Sequence, residues 1–409
     1  MSGVALPVMP DVGVVSTPPS SGADAPSAIL GTYARAPIAL VGGDGAELIA
    51  NDGRRYLDFT SGIAVNALGY GDPGLQAVMR DAADGLIHVS NLFRTEPAEG
   101  LAQWLVAHSF ADKVFFCNSG AEANEGAFKF ARRWARGVGG AEKHEIVALR
   151  GSFHGRLFAS LAATDRPKYR APFRPLAGGI TIAERDIAQL AEMLTAETTA
   201  ALVVEPVQGE GGVRVFDPGF LRELRSLTAE RRIALVLDEV QCGLGRTGWL
   251  FAYERAGIEP DLLALAKPIA GGLPMGAVLL AGHIASAIEA GDHGSTFGGG
   301  PFVSTIAQYV VERIAEPSLL QSVREHGEWL GRQLNRLAAE SPHVRGVRGV
   351  GLIWGIDIAM RAGPVIDAAR EQGLLLLSAG DHTLRLLPPL TITRSELERG
   401  IDTLSSVLA

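Results

Sequence analysis

Three apolar runs in this 409-residue chain end in residues that could do chemistry. The run 233–237 ends in Asp238-Glu239, the run 262–266 ends in Lys267, and Cys117 is followed by Asn118-Ser119-Gly120-Ala121-Glu122. Burying a carboxylate or an ammonium is costly unless it pairs or binds something. A structural ion pair at a sheet edge is one reading of Asp238 and Lys267; a reaction centre is the other. Lysine is scarce, the five being Lys113, Lys129, Lys143, Lys168 and Lys267. Lys113 opens a strand-like run, Lys129 lies on an amphipathic helical pattern, and Lys143 and Lys168 fall in polar loops. Only Lys267 sits in an apolar, glycine-rich setting. Desolvation there depresses the amine's pKa, and a neutral buried lysine is the usual nucleophile for condensation with a carbonyl.

Ser119-Gly120-Ala121 opens a helical pattern directly after a strand-like run. Unpaired amides and the helix dipole favour a phosphate at such a point, although Ser119 as a plain N-cap is the simpler alternative. A second polar glycine-rich loop, 293–300, contains Ser295 and Thr296 and could also reach a phosphate. No Gly-x-x-x-x-Gly-Lys loop is present, which disfavours a nucleotide triphosphatase. Gly349-x-Gly351 leads into a strand, the wrong order for a dinucleotide fingerprint. No metal-ligand spacing occurs, so no metal site is expected.

Composition narrows the class further. The hydrophobic fraction of 47% and charged fraction of 20% suit a globular protein with a large core. A net charge of −8 lacks the surplus that nucleic-acid phosphates require. Two cysteines, Cys117 and Cys242, exclude a disulfide scaffold and suit a reducing compartment. The best membrane-span candidate, 262–282, holds Lys267, two prolines and four glycines and makes a poor bilayer helix. Residues 1–27 are rich in Pro, Ser, Gly and Ala, with no basic residue before Arg35. They read as a flexible arm rather than a targeting signal, and a cytoplasmic location is the expectation.

The elements that must position these residues follow from hydrophobic period. Residues 47–60 read as two short strands around an Asp52-Gly53 turn. Strand-like runs at 113–117, 145–149, 201–205, 233–238 and 262–266 are separated by helical stretches, the clearest being 119–136. Continuous apolar strands alternating with helices predict an α/β fold, a mostly parallel sheet covered on both faces. Long helical patterns at 301–314 and 319–340 precede strands at 351–358, 373–377 and 384–387 and a last helix from about Arg394. The expected division is a segment 28–75 that joins the small domain, a large domain 76–305 and a smaller α+β domain 306–409. In open parallel sheets ligands bind beyond the carboxyl ends of the strands, where Ser119, Asp238 and Lys267 all fall.

An amine for a carbonyl, a carboxylate for a ring nitrogen and a helix end for a phosphate are the three handles of pyridoxal phosphate. Seven ordered blocks carry a resemblance: NSGAEANEGAFKFAR (118–132), GSFHGR (151–156), VEPVQGEGG (204–212), LVLDEVQCGLGRTG (235–248), LALAKPIAGGLPMGA (263–277), HGSTFGG (293–299) and LRLLPPLTIT (384–393). The chain resembles the class-III aminotransferases of the fold-type-I pyridoxal-phosphate enzymes, and within them the acetylornithine branch. The resemblance implies that Lys267 condenses with the cofactor and shuttles the proton, and that Asp238 keeps the ring nitrogen protonated. It implies Gln241 and Glu205 near the ring hydroxyl, Phe153 on the ring face, and Ser119, Gly120 and Ala121 on the phosphate. Thr296 would reach the phosphate of the neighbouring subunit of a homodimer, with Ser295 beside the substrate. Arg156 would clamp the α-carboxylate of the amino donor. Arg385 would hold a carboxylate of 2-oxoglutarate or glutamate, with Glu210 as its partner when that site is free. Ornithine aminotransferases usually carry a tyrosine near Ser61-Gly62-Ile63; its absence leans toward an acylated donor, N2-acetylornithine. Two departures stand out: Pro268 follows the lysine where small residues are commoner, and Gly300 replaces an asparagine.

Overall fold

The computed structural model describes residues 28–409; the expected arm 1–27 lies outside the described residues. In chain order the strands are β1 (Leu40–Asp44), β2 (Glu47–Ala50), β3 (Arg55–Asp58), β4 (Lys113–Cys117), β5 (Glu145–Leu149), β6 (Ile180–Ala183), β7 (Thr199–Val204), β8 (Val207–Gln208) and β9 (Arg214–Val215). They continue with β10 (Ala234–Asp238), β11 (Leu262–Leu265), β12 (Gly276–Leu280), β13 (Val344–Val350), β14 (Ile353–Ile358), β15 (Leu374–Leu375), β16 (Leu377–Ser378) and β17 (Thr383–Leu386). Seven of them form the main sheet, in the order β4-β12-β11-β10-β7-β5-β6. The run from β11 to β6 is parallel, and β12 alone is reversed against both its neighbours. The fold is α/β with a large, mostly parallel sheet and smaller separate sheets.

The apolar runs are buried because both faces of the sheet are covered. Every residue of β7, β10 and β11 is buried. Successive side chains alternate between faces. Leu235, Leu237, Leu263 and Leu265 join one core, while Ala234, Val236, Leu262 and Ala264 join another on the opposite side. The helix Gly120–Gly139 supplies that second core with Ala123, Ala127, Phe130, Ala131 and Trp134, which share one helical face.

The remaining sheets are small. β1, β2 and β3 make an antiparallel meander that the distant β15 joins in parallel. β13, β14, β17 and β16 form an antiparallel sheet against the helix Pro317–Glu340, and β8 and β9 make a hairpin. Six strands had no counterpart in the hydrophobic pattern: β1, β6, the short β8 and β9, β12 and β13. The apolar stretch 262–282 is the instructive case. It is a strand, a turn and a reversed strand, held apart by the glycines and prolines that made it a poor membrane helix. Among the described residues no helix is long and apolar enough to cross a membrane.

Candidate active site

Register explains why distant residues meet. Leu237 of β10 lies opposite Val204 of β7, and Asp238 lies opposite Ala264 of β11. Glu205, Asp238 and Lys267 therefore emerge at the same edge from three adjacent strands. Because side chains alternate, Asp238 faces a cavity of about 390 Å³ while Glu239 turns away from it. Glu239 accepts hydrogen bonds from the amides of Ala252 (2.6 Å) and Tyr253 (2.8 Å), and burial pushes its carboxyl up to about 8.

Asp238 is held on three sides. Its Oδ2 accepts from Asn124 Nδ2 at 2.8 Å and lies 2.7 Å from His154 Nδ1, and its Oδ1 accepts from the Val240 amide at 3.0 Å. It is 3% exposed. Burial first, and the Asp238 charge second, push the carboxyl of Glu205 well above the ordinary range, so Glu205 favours its protonated form. Glu205 Oε2 also accepts from the Phe153 amide at 3.0 Å, which ties the GSFHGR loop to the strand edge.

Lys267 opens a 3-10 turn, Lys267–Ala270, with a backbone φ of 31°. That region is sparsely populated by residues with a Cβ and costs on the order of 1–3 kcal/mol, so the surroundings must enforce it. Pro268 takes the first position after the lysine, where its missing N–H does no harm. Gly271 closes the turn at φ 59°, and a Cβ there would lie 2.9 Å from Leu75 Cδ2. Burial is the main cause that lowers the pKa of Lys267, opposed by the charge of Asp238. Among the described residues Lys267 and Asp238 make no ion pair, so the structural-pair reading of the two fails and both face the same space.

The third element is the start of the helix Gly120–Gly139. Ser119 caps it, its Oγ accepting from the Glu122 amide at 3.2 Å. The cap reading of Ser119 holds, and the residue also lines the cavity with Gly120 and Ala121, whose amides have no carbonyl a turn earlier. The approach is close. A Cβ on Gly120 would lie 2.5 Å from Val240 Cγ1, and one on Gly155 would lie 2.7 Å from Ala121 Cβ.

Arg385 is 2% exposed and holds two residues of the cavity wall: it forms an ion pair with Glu210 at 2.6 Å, and its Nη1 donates to Gln241 Oε1 at 3.1 Å. Arg156 is exposed, with its guanidinium 3.5 Å from the Tyr169 ring centroid and 5.6 Å from that of Phe153. Arg156, Phe153, Glu210 and Gln241 line the cavity with Lys267 and Asp238. Ser295 and Thr296 line a different cavity with His88 and Asn91. One thread connects the two: Asn118 Nδ2 donates to Ser295 Oγ at 3.2 Å.

Residues 32–408 match the class-III aminotransferase family. The chain belongs to that family. Acetylornithine aminotransferase of Gloeobacter violaceus is 46% identical over 93% of this chain and 96% of its own length. The mitochondrial acetylornithine aminotransferase of Alnus glutinosa is 47% identical over 93% of this chain and 85% of that protein. Among solved structures, N-acetylornithine aminotransferase of Stenotrophomonas maltophilia superposes with a TM-score of 0.81 at 37% identity, covering 92% of this chain and 96% of that one. Ornithine aminotransferase of Toxoplasma gondii gives a TM-score of 0.90 at 28% identity, covering 93% and 91%. Class-III aminotransferases depend on pyridoxal phosphate.

Sequence reasoning missed two members of this class-III site, Asn124 and His154. Both are buried polar residues that line the cavity, and both hold Asp238. Their signal was present but unread: an amide and an imidazole on otherwise apolar or glycine-rich segments. The scarcity argument also needs one correction. Lys143 is not a loop lysine in solvent; it is 1% exposed, its Nζ donates to the Ala196 carbonyl at 2.5 Å, and burial lowers its pKa too. A backbone carbonyl satisfies Lys143, whereas Lys267 faces open space.

Proposed function

We propose that the chain transfers the terminal amino group of N2-acetylornithine to 2-oxoglutarate, giving N-acetylglutamate 5-semialdehyde and glutamate, a step of arginine synthesis. The observation that carries the reaction type is the convergence of Lys267, Asp238 and Glu210 on one cavity, with Glu210 ion-paired to the buried Arg385. The donor is supported by relatives 42–47% identical that bear the acetylornithine name.

The residues fit the cofactor chemically. A capped helix start with close glycine packing suits a phosphate, and a buried carboxylate with acceptor capacity left on Oδ1 suits a cationic ring N–H. When bound, pyridoxal phosphate supplies a carbonyl for amines and a ring that draws off the electrons left by proton removal. Ser119, Gly120 and Ala121 would hold the phosphate, Asp238 the ring nitrogen, Phe153 the ring face, and Gln241 and Glu205 the side bearing the hydroxyl. Lys267 Nζ would be the attachment point. Its free amine would take the proton from the carbon bearing the donor's amine and pass it on, a task that its lowered pKa favours.

Arg156 anchors the donor's α-carboxylate at the open end, away from the reacting amine. Arg385 stays paired with Glu210 while the donor is bound, so the pocket sees no bare cation. When 2-oxoglutarate enters, its carboxylate replaces Glu210 on Arg385. Wall residues near Val65 carry no phenol, in keeping with an acylated donor. Ser295 and Thr296 would serve the site of a second copy. Support for a homodimer comes from the apolar residues exposed beside that loop, Leu86, Ile87, Leu92, Phe93 and Phe297.

The test is a spectral titration of the purified holoenzyme with acetylornithine, free ornithine, succinyl-diaminopimelate and 4-aminobutyrate. Free ornithine matters because the backbone also matches ornithine aminotransferases well. Acetylornithine should give the highest rate constant for loss of the bound-cofactor absorbance. Faster turnover of any other donor refutes the assignment, and sedimentation of the holoenzyme as a monomer refutes the shared site.

A further inference from the structure

Away from the catalytic cavity, a second open cavity of about 640 Å³ is lined by Arg185, Arg214 and Arg348, with Asn335, Phe216 and Trp354. Its charge runs against that of the chain, which is net −8. The nearby carboxylates are already engaged. Asp357 is paired with both Nη atoms of Arg348, at 2.5 and 2.8 Å, and accepts from Thr383 at 2.6 Å. Glu184 pairs with Arg150 at 2.6 Å, and Asp165 accepts from the Gly151 amide at 2.8 Å. Among the described residues, Arg185 and Arg214 form no ion pair with any carboxylate. Arg185 Nη1 reaches only Gln208 Oε1, at 3.5 Å, and Arg214 Nε donates to the Gly211 carbonyl at 3.2 Å.

Two like charges facing one cavity with no carboxylate in ion-pair contact, and only the more distant charges of Glu184, Asp165 and Asp357 to offset them, make an arrangement that a bound anion would relieve. Burial first, and the charge of Arg214 second, lower the pKa of Arg185, the direction expected of a cation in need of a partner. Guanidinium groups match carboxylate and phosphate oxygens through paired N–H donors, and Phe216 and Trp354 offer an apolar wall for a carbon skeleton.

We propose that this cavity binds a small polyanion bearing carboxylate or phosphate groups, with Arg185 and Arg214 as its paired cationic ligands beside the wall of Phe216 and Trp354. The site is joined to the catalytic cavity by a short path. Arg214 starts the return strand of the β8–β9 hairpin, and the tip of that hairpin carries Glu210. Arg348 Nε donates to the Gly212 carbonyl at 2.6 Å, and Arg214 holds that of Gly211, so both arginines grip the tip next to Glu210. An anion that drew Arg214 from Gly211 would loosen the tip and ease release of Glu210 from Arg385. This consequence rests on the proposed role of Glu210; the binding itself does not.

The experiment separates the two. Calorimetric titration of the holoenzyme with citrate and, in parallel, with inorganic pyrophosphate tests the site and tells a carboxylate ligand from a phosphate one. Saturable 1:1 binding per chain by either probe, weakened at least ten-fold by Arg185→Gln/Arg214→Gln and by the more exposed Arg214→Gln alone, is the expected result. Both variants should retain the holoenzyme spectrum and the melting temperature in the absence of the probe. Affinity lost in Arg385→Gln but kept in the double variant would place the probe in the catalytic cavity and overturn the proposal, as would affinity unchanged in the double variant or no binding of either probe. With binding established, citrate or pyrophosphate should lower the KM for 2-oxoglutarate in the parent protein only. An unchanged KM would sink the link to Glu210 and leave the anion site standing.

Discussion

Replacing Asn124 by alanine removes one of two donors to Asp238 Oδ2 while leaving His154 Nδ1 at 2.7 Å and the Val240 amide at 3.0 Å. The carboxylate is 3% exposed, so water does not readily replace the lost bond. A hydrogen bond to a buried charged group contributes about 1.5–3 kcal/mol, and the anionic form of Asp238 loses that amount. If catalysis depends on that negative charge, the rate constants of both half-reactions fall by roughly ten- to 150-fold near neutral pH. Stopped-flow absorbance of the holoenzyme mixed separately with acetylornithine and with glutamate reads both half-reactions. A purely structural role for Asn124 would lower the melting temperature and leave both rate constants within a few-fold of the parent. Unchanged rates in a folded Asn124→Ala protein, or a loss confined to one half-reaction, would refute the reasoning.

Glu210→Ala should leave the glutamate half-reaction within a few-fold of the parent and slow or broaden the donor half-reaction, since Arg385 then stands unpaired; equal losses in single-turnover assays would count against the switch. Lys267 has a pKa lowered mainly by burial, so the neutral amine persists to lower pH than in an ordinary lysine near ~10.4. Reconstitution of the apo-protein with pyridoxal phosphate, followed by absorbance, should therefore have its alkaline midpoint below that of a free lysine analogue, and a midpoint at or above it would contradict the burial argument. Gly120→Ala places a Cβ 2.5 Å from Val240 Cγ1 and should weaken cofactor retention at an overpacking cost of about 1–3 kcal/mol, checked by equilibrium dialysis; retention equal to the parent would show that the helix start tolerates the shift.

Much of the candidate site was legible because polar residues interrupt otherwise continuous apolar patterns. A run such as Ala234–Asp238 must be buried on both faces, so its terminal carboxylate could only lie at the sheet edge. The same logic located Lys267 and the Ser119 cap. It failed for β12, because a glycine-bounded apolar stretch reads alike whether it continues or reverses. It failed also for Lys143, whose polar neighbours in sequence gave no hint that Ala196 and Arg231 would enclose it.

Residue type and order by themselves determined the chemistry on offer: one amine in apolar surroundings, one carboxylate at a strand end, one capped helix start, and the seven blocks that mark the family. Tertiary structure alone decided which of these meet. Strand register set Glu205 beside Asp238 and Lys267, a Cβ-free approach brought Gly155 against Ala121, and residues 144 positions apart, Gln241 and Arg385, came within a hydrogen bond. The reason is physical. Local pattern records how each segment divides between water and core, whereas the pairing of buried polar groups depends on contacts between segments far apart in the chain, which hydropathy along a single strand does not encode.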